Sequence, residues 1–156
     1  MAKKDKLGDR FQKDVQDAMH DLMDNHRVCM PVRLYDTKSA RGKYLPEQPA
    51  DFIAASMTGG HLIEVKASEV HDSLRTCLDM VETHQAAALR VWRMMGQPSW
   101  VLFYSQPQFT LELWDGEVAG RCRATGDKLP KEGEEGGPLV VRRDTLKDLL
   151  FNLFSK

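Results

Sequence analysis

The chain has no long apolar run that would suggest a membrane-embedded or exported protein. No stretch approaches the roughly 20 consecutive apolar residues that a transmembrane helix needs. The opening M-A-K-K-D-K-L-G also lacks the apolar region of a signal peptide. We therefore expect a cytoplasmic protein, located in the host cytoplasm if a phage encodes it, with no membrane partner.

Cysteine is scarce and net charge is almost absent. Cys29, Cys77 and Cys122 are far apart and match no zinc-ligand spacing, which favours reduced, partly buried thiols. The formal net charge of −1 excludes a protein that coats nucleic acid over its whole surface. The chain also shows no internal repeat. Its 156 residues, 42% of them hydrophobic, predict a single domain over residues 1–156.

The first two thirds of the chain predict alternating helices and strands. Apolar residues at helical spacing predict an amphipathic helix over residues 9–25. Pro31 places the next segment at a sheet edge or bulge. The predicted order is αβββαβ, with a strand at 28–35, a polar loop at 36–48, strands carrying Asp51 and Glu64, an irregular segment at 68–82, a helix at 83–95 ended by Gly96, and a buried strand at 99–105.

The last third predicts an addition to that core. Two short apolar segments, 109–114 and 138–142, favour antiparallel strands. W-D-G-E at 114–117 predicts a turn, and the Gly- and Glu-rich stretch at 126–137 predicts a mobile loop. Residues 144–154 predict an apolar-faced helix. Trp92, Trp100 and Trp114 lie in apolar segments and are expected in the core.

Two segments carry ionisable residues inside apolar strands: P-A-D-F-I-A-A at 49–55 and H-L-I-E-V-K-A at 61–67. Side chains alternate along a strand, so Glu64 and Lys66 project on one side and Val65 on the other. If the first strand pairs alongside, Asp51 joins them. Two carboxylates can hold a hard divalent cation, and an ammonium can stabilise a developing phosphorane or orient water. This combination indicates phosphodiester hydrolysis.

The tripeptide Glu-x-Lys alone is common on solvated strands, where it forms an ordinary charged face. Here the flanking residues are apolar, and an unpaired buried carboxylate costs several kcal/mol. The three charges therefore indicate either mutual ion pairing or a bound metal. We favour the metal.

These motifs resemble the PD-(D/E)xK nuclease superfamily, written here as Pro49-Ala50-Asp51 and Glu64-Val65-Lys66. G-D-R-F-Q-K-D at 8–14, T-H-Q-A-A-A-L at 83–89 and G-Q-P-S-W-V-L-F-Y at 96–104 resemble the Holliday-junction resolvases of the RecU and archaeal Hjc type. The resemblance covers about 8–105 and leaves about 106–156 as an extension. It implies a restriction-endonuclease-like α/β fold, with a mixed central sheet flanked by helices.

The resemblance also implies a set of site residues. Mg²⁺, which Mn²⁺ can replace, would be bound by Asp51, Glu64, the Val65 carbonyl and the first helix. The resolvases usually place a glutamate on that helix, but this chain has Gln12, a neutral and weaker ligand. Asp9 on the same helical face could substitute, whereas Asp14 should face elsewhere. The expected catalytic residues are Asp51, Glu64, Lys66 and Gln85. His84 is expected to cap or be solvated.

A basic stretch leads into the proposed site and predicts phosphate contacts that position DNA without reading its sequence. The alternative is a solvated loop with accidental charge. A second basic cluster lies at Lys3, Lys4, Lys6, Arg10 and Lys13. Tyr35 is a further candidate backbone contact. The residues expected to contact DNA are Arg33, Lys38, Ser39, Arg41, Lys43 and Ser68.

The sequence as a whole predicts a Mg²⁺-dependent endonuclease that resolves Holliday junctions as a C₂ homodimer, since paired cuts need two sites at a fixed distance. Two alternatives remain open. One is a restriction-like or repair nuclease that acts on duplex, flap or single-stranded DNA. The other is a non-catalytic branched-DNA-binding protein, which the neutral Gln12 favours.

Overall fold

A computed structural model describes residues 6–35 and 48–155. Its centre is one six-stranded sheet in which the strands are neighbours in sequence order. Only β3 and β4 are parallel; the other four adjacent pairs are antiparallel. The strands are β1 (Cys29–Arg33), β2 (Phe52–Ser56), β3 (Gly59–Ser68), β4 (Ser99–Ser105), β5 (Thr110–Asp115) and β6 (Leu139–Arg142).

Helices cover both faces of this sheet. On one face, buried side chains of α1 (Leu7–Asp21) and α4 (Leu146–Ser155) pack against the sheet. On the other face, α2 (Thr83–Met94) and α3 (Gly116–Thr125) do the same. Apolar residues at helical spacing form the buried stripe of α1, which includes Phe11, Val15 and Met19. The mixed α/β fold class is therefore confirmed.

Most of the predicted elements are present, with changes at their ends. The first helix begins at Leu7, and its last turn is a π-helix over Leu22–His26. Pro31 does lie on an edge strand, because β1 pairs only with β2 in the described sheet. The region between β3 and α2 is irregular and contains two 3₁₀ turns, Leu74–Thr76 and Leu78–Met80. The antiparallel addition and the final helix are confirmed by β5, β6 and α4.

The predicted turn at 114–117 is wrong, because this segment starts α3. Asp115 is the N-cap residue, and its Oδ1 accepts hydrogen bonds from the backbone N–H groups of Glu117 (2.8 Å) and Val118 (3.3 Å). An Asp-Gly pair serves both turns and helix starts, so the local sequence was ambiguous. Tertiary packing decides it: α3 lies so close to α2 that a Cβ at Gly120 would come within 2.6 Å of the Ala86 carbonyl oxygen.

The cysteines and tryptophans lie in or against the hydrophobic cores. Cys29, Cys77 and Cys122 are free and buried, as predicted. Trp114 is fully buried, while Trp92 and Trp100 are partly buried against the two cores. Residues 126–137 contain no helix or strand, and Leu129 in this loop is buried. No helix in the described part of the chain is long and apolar enough to cross a membrane.

Candidate functional site

The site lies where the pairing of β2 with β3 ends. The last paired residues are Phe52 and Ile63, so Asp51 and Glu64 come immediately beyond the ladder on adjacent strands. Val65 packs into the core shared with α1, while Leu62 packs into the core under α2. Glu64 and Lys66 therefore face α2, as strand alternation predicts. Asp51 precedes β2 and does not lie within it.

The Asp51 side chain bonds the backbone of Val65, which has no partner on β2. Its Oδ2 accepts a hydrogen bond from the Val65 backbone N–H at 2.7 Å, where β2 no longer pairs. Its Oδ1 accepts a second from the Gln12 Nε2 at 2.8 Å. In a strand, the N–H and C=O of one residue point to the same side. The Val65 carbonyl therefore faces the edge where Asp51 lies.

Glu64 is the most deeply buried charged group of the site, with 1% of its surface exposed. Its Oε1 is 3.1 Å from the Lys66 Nζ and accepts a hydrogen bond from the Gln85 Nε2 at 2.9 Å. Its Oε2 is buried and has no hydrogen-bond partner among the described residues. A buried carboxylate oxygen without a donor is costly, and native proteins leave few of them unless a ligand completes the group.

Both carboxylates have raised pKa values. Burial is the main cause for Asp51, outweighing the opposing Val65 N–H hydrogen bond. Burial is also the main cause for Glu64, whose pKa lies well above its usual range, and the neighbouring charge of Asp51 raises it further. Lys66 lowers both pKa values but does not cancel these effects. Two ionised carboxylates repel each other in a poorly hydrated site, so without a further cation one of the pair keeps a proton in a hydrogen bond to the other.

A hard divalent cation fits this arrangement. It would bond the unpartnered Glu64 oxygen and relieve the repulsion between Glu64 and Asp51. The described residues contain no cluster of three or more His, Cys, Asp and Glu side chains that could hold a metal. Mg²⁺ does not need such a cluster, since it is usually bound by one or two carboxylates together with water and phosphate oxygens. The Val65 carbonyl would supply one more oxygen.

Gln12 reaches the site and hydrogen-bonds to both Arg33 and Asp51. Its Oε1 accepts a hydrogen bond from the Arg33 Nη2 at 2.9 Å, while its Nε2 donates to Asp51. Arginine offers only donors and a carboxylate only acceptors, so these two neighbours fix which end of the amide faces each of them. In this arrangement Arg33 donates to the Gln12 oxygen, and metal binding through that oxygen stays a prediction. Gln12 links Arg33 to Asp51.

Arg33 was expected to contact DNA, yet its guanidinium is turned into the protein. Besides Gln12, it donates to the Gln16 Oε1 at 3.3 Å and lies over the rings of Phe52 and Tyr35. The charge of Arg33 also lowers the pKa of Asp51. Sequence reasoning missed this link. The signal was Gln12 and Gln16, which are one helical turn apart and therefore share a face.

Gln85 contacts the site by a hydrogen bond to Glu64. It is the third residue of the capping box of α2: its Oε1 accepts from the Glu82 N–H at 2.9 Å, and its Nε2 donates to Glu64. Both ends of its amide are used, so Gln85 positions Glu64 and the start of α2. A direct contact from Gln85 to phosphate or water stays a prediction.

Of the other residues expected to contact DNA, Ser68 is buried and its Oγ accepts hydrogen bonds from the N–H groups of Val70 and His71. These bonds use the Oγ as an acceptor, whereas a phosphate would accept from the O–H, so the phosphate contact stays a prediction. Asp9 is exposed, and Asp14 pairs with Arg143 away from the site, as expected for Asp14. Four predicted contacts lie outside the described residues: Lys38, Ser39, Arg41 and Lys43.

Comparisons with known proteins give a distant likeness. No protein-family profile matches the chain, and no curated protein matches it. Among solved structures, the chain is similar to Hjc, a Holliday junction resolvase from the archaeal hyperthermophile Archaeoglobus fulgidus. The two share 14% sequence identity with a TM-score of 0.46, and the match covers 95% of this chain and 100% of the other. The chemistry of the site itself therefore carries the functional conclusion.

Proposed function

We propose that this protein is a metal-dependent DNA endonuclease that resolves Holliday junctions by paired phosphodiester cleavage. One observation carries the proposal: the buried Glu64 carboxylate, whose Oε1 contacts Lys66, lies beside Asp51 and has an Oε2 without a hydrogen-bond partner among the described residues. Two carboxylates and one ammonium at the end of a strand pair are suited to a metal ion and a phosphate.

Asp51, Glu64 and the Val65 carbonyl would hold Mg²⁺, or Mn²⁺ in its place. The bound ion would lower the pKa of a water molecule and neutralise charge on the scissile phosphate. Gln85 holds the Glu64 Oε1 and leaves Oε2 for the metal. Gln12 and the Val65 N–H together hold both oxygens of Asp51 in position.

Lys66 would act on the charge that develops during cleavage. Its side chain is 18% exposed, so its ammonium lies at the boundary between the buried carboxylates and solvent. There it can stabilise the extra negative charge that develops on the phosphate, or orient the attacking water. A group that acts on this developing charge increases kcat more than it tightens substrate binding.

Two symmetrical cuts across a four-way junction require two sites at a fixed distance, so the proposal includes a C₂ homodimer. The basic stretch from Arg27 to Lys43 in the sequence suits backbone contacts to branched DNA.

The test is cleavage of a synthetic four-way junction and of a linear duplex with the same arm sequences, in Mg²⁺, Mn²⁺ or EDTA. We expect metal-dependent, paired cuts in the junction and little cleavage of the duplex. Equal cleavage of both substrates would instead identify a restriction-like or repair nuclease. Cleavage that persists in EDTA would contradict the metal site.

A second candidate is a non-catalytic protein that binds branched DNA. The observation that favours it is Gln12, whose amide nitrogen occupies one oxygen of Asp51 and adds no negative charge to the site. Under this alternative the junction binds, with a strong dependence on salt, but is not cut in Mg²⁺ or Mn²⁺.

A further inference from the structure

A cleft lies on the flank of α1 opposite Gln12 and the proposed metal site. It has a volume of about 380 Å³ and separates the first turns of α1 from the turn between β4 and β5. Its walls combine aromatic rings with arginines, and they include Arg10, Asp14, Tyr104, Phe109 and Arg143. Phe11 and Tyr104 belong to the hydrophobic core, but neither the core nor the proposed cleavage chemistry accounts for the exposed Phe109 and Arg10.

Phe109 is held in an unusual backbone conformation. Its φ is +52°, in the left-handed region where glycine or asparagine is favoured and a bulky side chain is rare. It ends the four-residue turn between β4 and β5, and its N–H donates to the Gln106 carbonyl at 3.3 Å. The residue is nevertheless 45% exposed, so burial gives limited compensation for this strain. Strain of this kind often marks a functional position.

The arginines near the cleft are arranged against aromatic rings. The Arg143 guanidinium lies 5.1 Å from the centroid of Phe11 and 5.0 Å from that of Tyr104, and it pairs with Asp14 at 2.5 Å. Arg142 lies 5.9 Å from the centroid of Phe109 and pairs with Asp144. Arg10 is exposed and has no ion-pair partner among residues 6–35 and 48–155. One positive charge is therefore left uncompensated at the mouth of the cleft.

From this geometry we propose that the cleft binds an unpaired nucleotide of a DNA strand. The base would stack on the exposed Phe109 and against the partly exposed guanidinium of Arg143, and Arg10 would contact an adjacent phosphate. Aromatic rings that carry no base-specific hydrogen bonds suit a strand of any sequence, since every base has a face that can stack. The inference rests on the proposed function, because it assigns a strand of the same DNA substrate to this cleft.

The location suits a strand that passes through both sites. Gln12, which contacts Asp51, lies two residues from Arg10 and so about 200° around the helix. The cleft and Gln12 thus lie on opposite sides of α1, whose diameter with side chains is roughly 10 Å, and Gln12 contacts Asp51 of the proposed site. A strand that leaves the scissile phosphate can reach the cleft within a few nucleotides, provided it is unpaired. This position predicts a preference for branched or frayed DNA over blunt duplex.

The test uses the full chain in EDTA, with a short single-stranded DNA that carries 5-iododeoxyuridine and a blunt duplex as the comparison. Phe109→Gly removes the ring and also relieves the positive φ, so the fold should be retained. We expect it to weaken single-strand binding roughly tenfold while duplex binding stays unchanged. Phe109→Trp should retain binding. Phe151→Ala, which removes a similarly exposed ring on α4, should have no effect.

Ultraviolet crosslinking of the iodinated strand, followed by mass spectrometry, should locate the adduct at Phe109. Wild-type affinity in Phe109→Gly, or adducts only elsewhere on the chain, would overturn the inference. The two proposals fail separately. If Phe109→Gly changes neither metal-dependent junction cleavage nor strand binding, only the proposed nucleotide-binding cleft is rejected. Ring-dependent strand binding without any cleavage rejects only the nuclease.

Discussion

At the scale of single residues, the proposed site keeps two carboxylates buried at some cost to the stability of the fold. The pKa of Glu64 is raised well above its usual range by burial and by Asp51, which means that the folded protein disfavours its ionised form. A group of this kind is retained for function more readily than for stability. Substitutions should therefore separate activity from stability at these positions.

We expect Glu64→Gln and Asp51→Asn to abolish metal-dependent cleavage and to leave junction binding largely intact, because they remove metal ligands but no phosphate contacts. Glu64→Gln should also raise the free energy of unfolding at neutral pH, since it removes a buried charge beside another. Lys66→Ala should lower kcat by about 100-fold or more. Steady-state kinetics and urea unfolding measure these effects. A Lys66→Ala effect confined to KM would assign Lys66 to substrate binding instead.

A matched pair of substitutions tests the link from Arg33 to Asp51. Gln12→Glu places a carboxylate beside both Arg33 and Asp51, so Mg²⁺ binding should tighten by about tenfold and activity should rise at low Mg²⁺. Gln16→Glu gives Arg33 the same new partner without adding charge next to Asp51. It should leave metal affinity unchanged. Isothermal titration with Mg²⁺ distinguishes the two, and equal affinities in both variants would place residue 12 outside the metal site.

At the scale of elements, hydrogen bonds and close packing between neighbouring segments hold the sheet and helices around the site. His61, 2% exposed, joins the β2–β3 hairpin to β4 and to the C-terminal helix. The Trp100 indole N–H donates to its Nδ1 at 2.9 Å, which leaves the proton of the neutral ring on Nε2. That nitrogen contacts the Thr58 Oγ1, which in turn donates to the Leu153 carbonyl.

This network predicts a specific loss of stability in acid. Burial, assisted by the charge of Arg93, lowers the pKa of His61 from 6.5 to about 4. The unfolded chain therefore binds a proton that the folded chain excludes, and the contribution of His61 is complete above pH 6.5 and is lost as the pH falls towards 4. The loss should be no more than about 3 kcal/mol. His61→Gln should lower stability at pH 7 and flatten this part of the pH profile. The free energy of unfolding should be measured as a function of pH for both proteins. The same slope between pH 4 and pH 6.5 in the wild type and in His61→Gln would contradict the assignment.

The packing of α3 against α2 gives a second prediction at this scale. A Cβ at Gly120 would lie 2.6 Å from the Ala86 carbonyl oxygen and 2.7 Å from the Arg90 Cγ. Gly120→Ala should therefore reduce stability by about 1–3 kcal/mol. Gly8→Ala is the control, because Gly8 lies within α1 and its added Cβ meets nothing within 4 Å. That variant should be stabilised by up to about 1 kcal/mol. Denaturant midpoints of the two variants should shift in opposite directions.

At the scale of the whole molecule, a net charge of −1 means that any DNA affinity depends on where the positive charges lie. The sequence places a basic cluster between Arg27 and Lys43, with Asp36 as its only acid. Arg33 is used inside the protein. The DNA contacts expected from the sequence therefore rest on Lys38, Arg41 and Lys43.

Neutralising Lys38, Arg41 and Lys43 together should weaken junction binding and reduce the slope of log K against log salt by about 2.7, which corresponds to three phosphate contacts. A control that neutralises Lys128, Lys131 and Lys147 changes the net charge by the same amount on other parts of the surface. It should leave the slope nearly unchanged. Equal effects of the two triple variants on binding across a salt titration would show that only net charge matters.

Local sequence determined most of the elements and the composition of the candidate site. Strand alternation was sufficient to place Glu64 and Lys66 on one face, because each residue rotates the side chain by half a turn. Helical spacing likewise identified α1 from Phe11, Val15 and Met19. Tertiary structure alone decided that Asp115 starts a helix, since a helix cap and a turn use the same residues. It also decided the hydrogen bonds of Gln12: Arg33, 21 residues away, donates to its Oε1 while its Nε2 donates to Asp51, and local sequence does not show contacts between such distant residues.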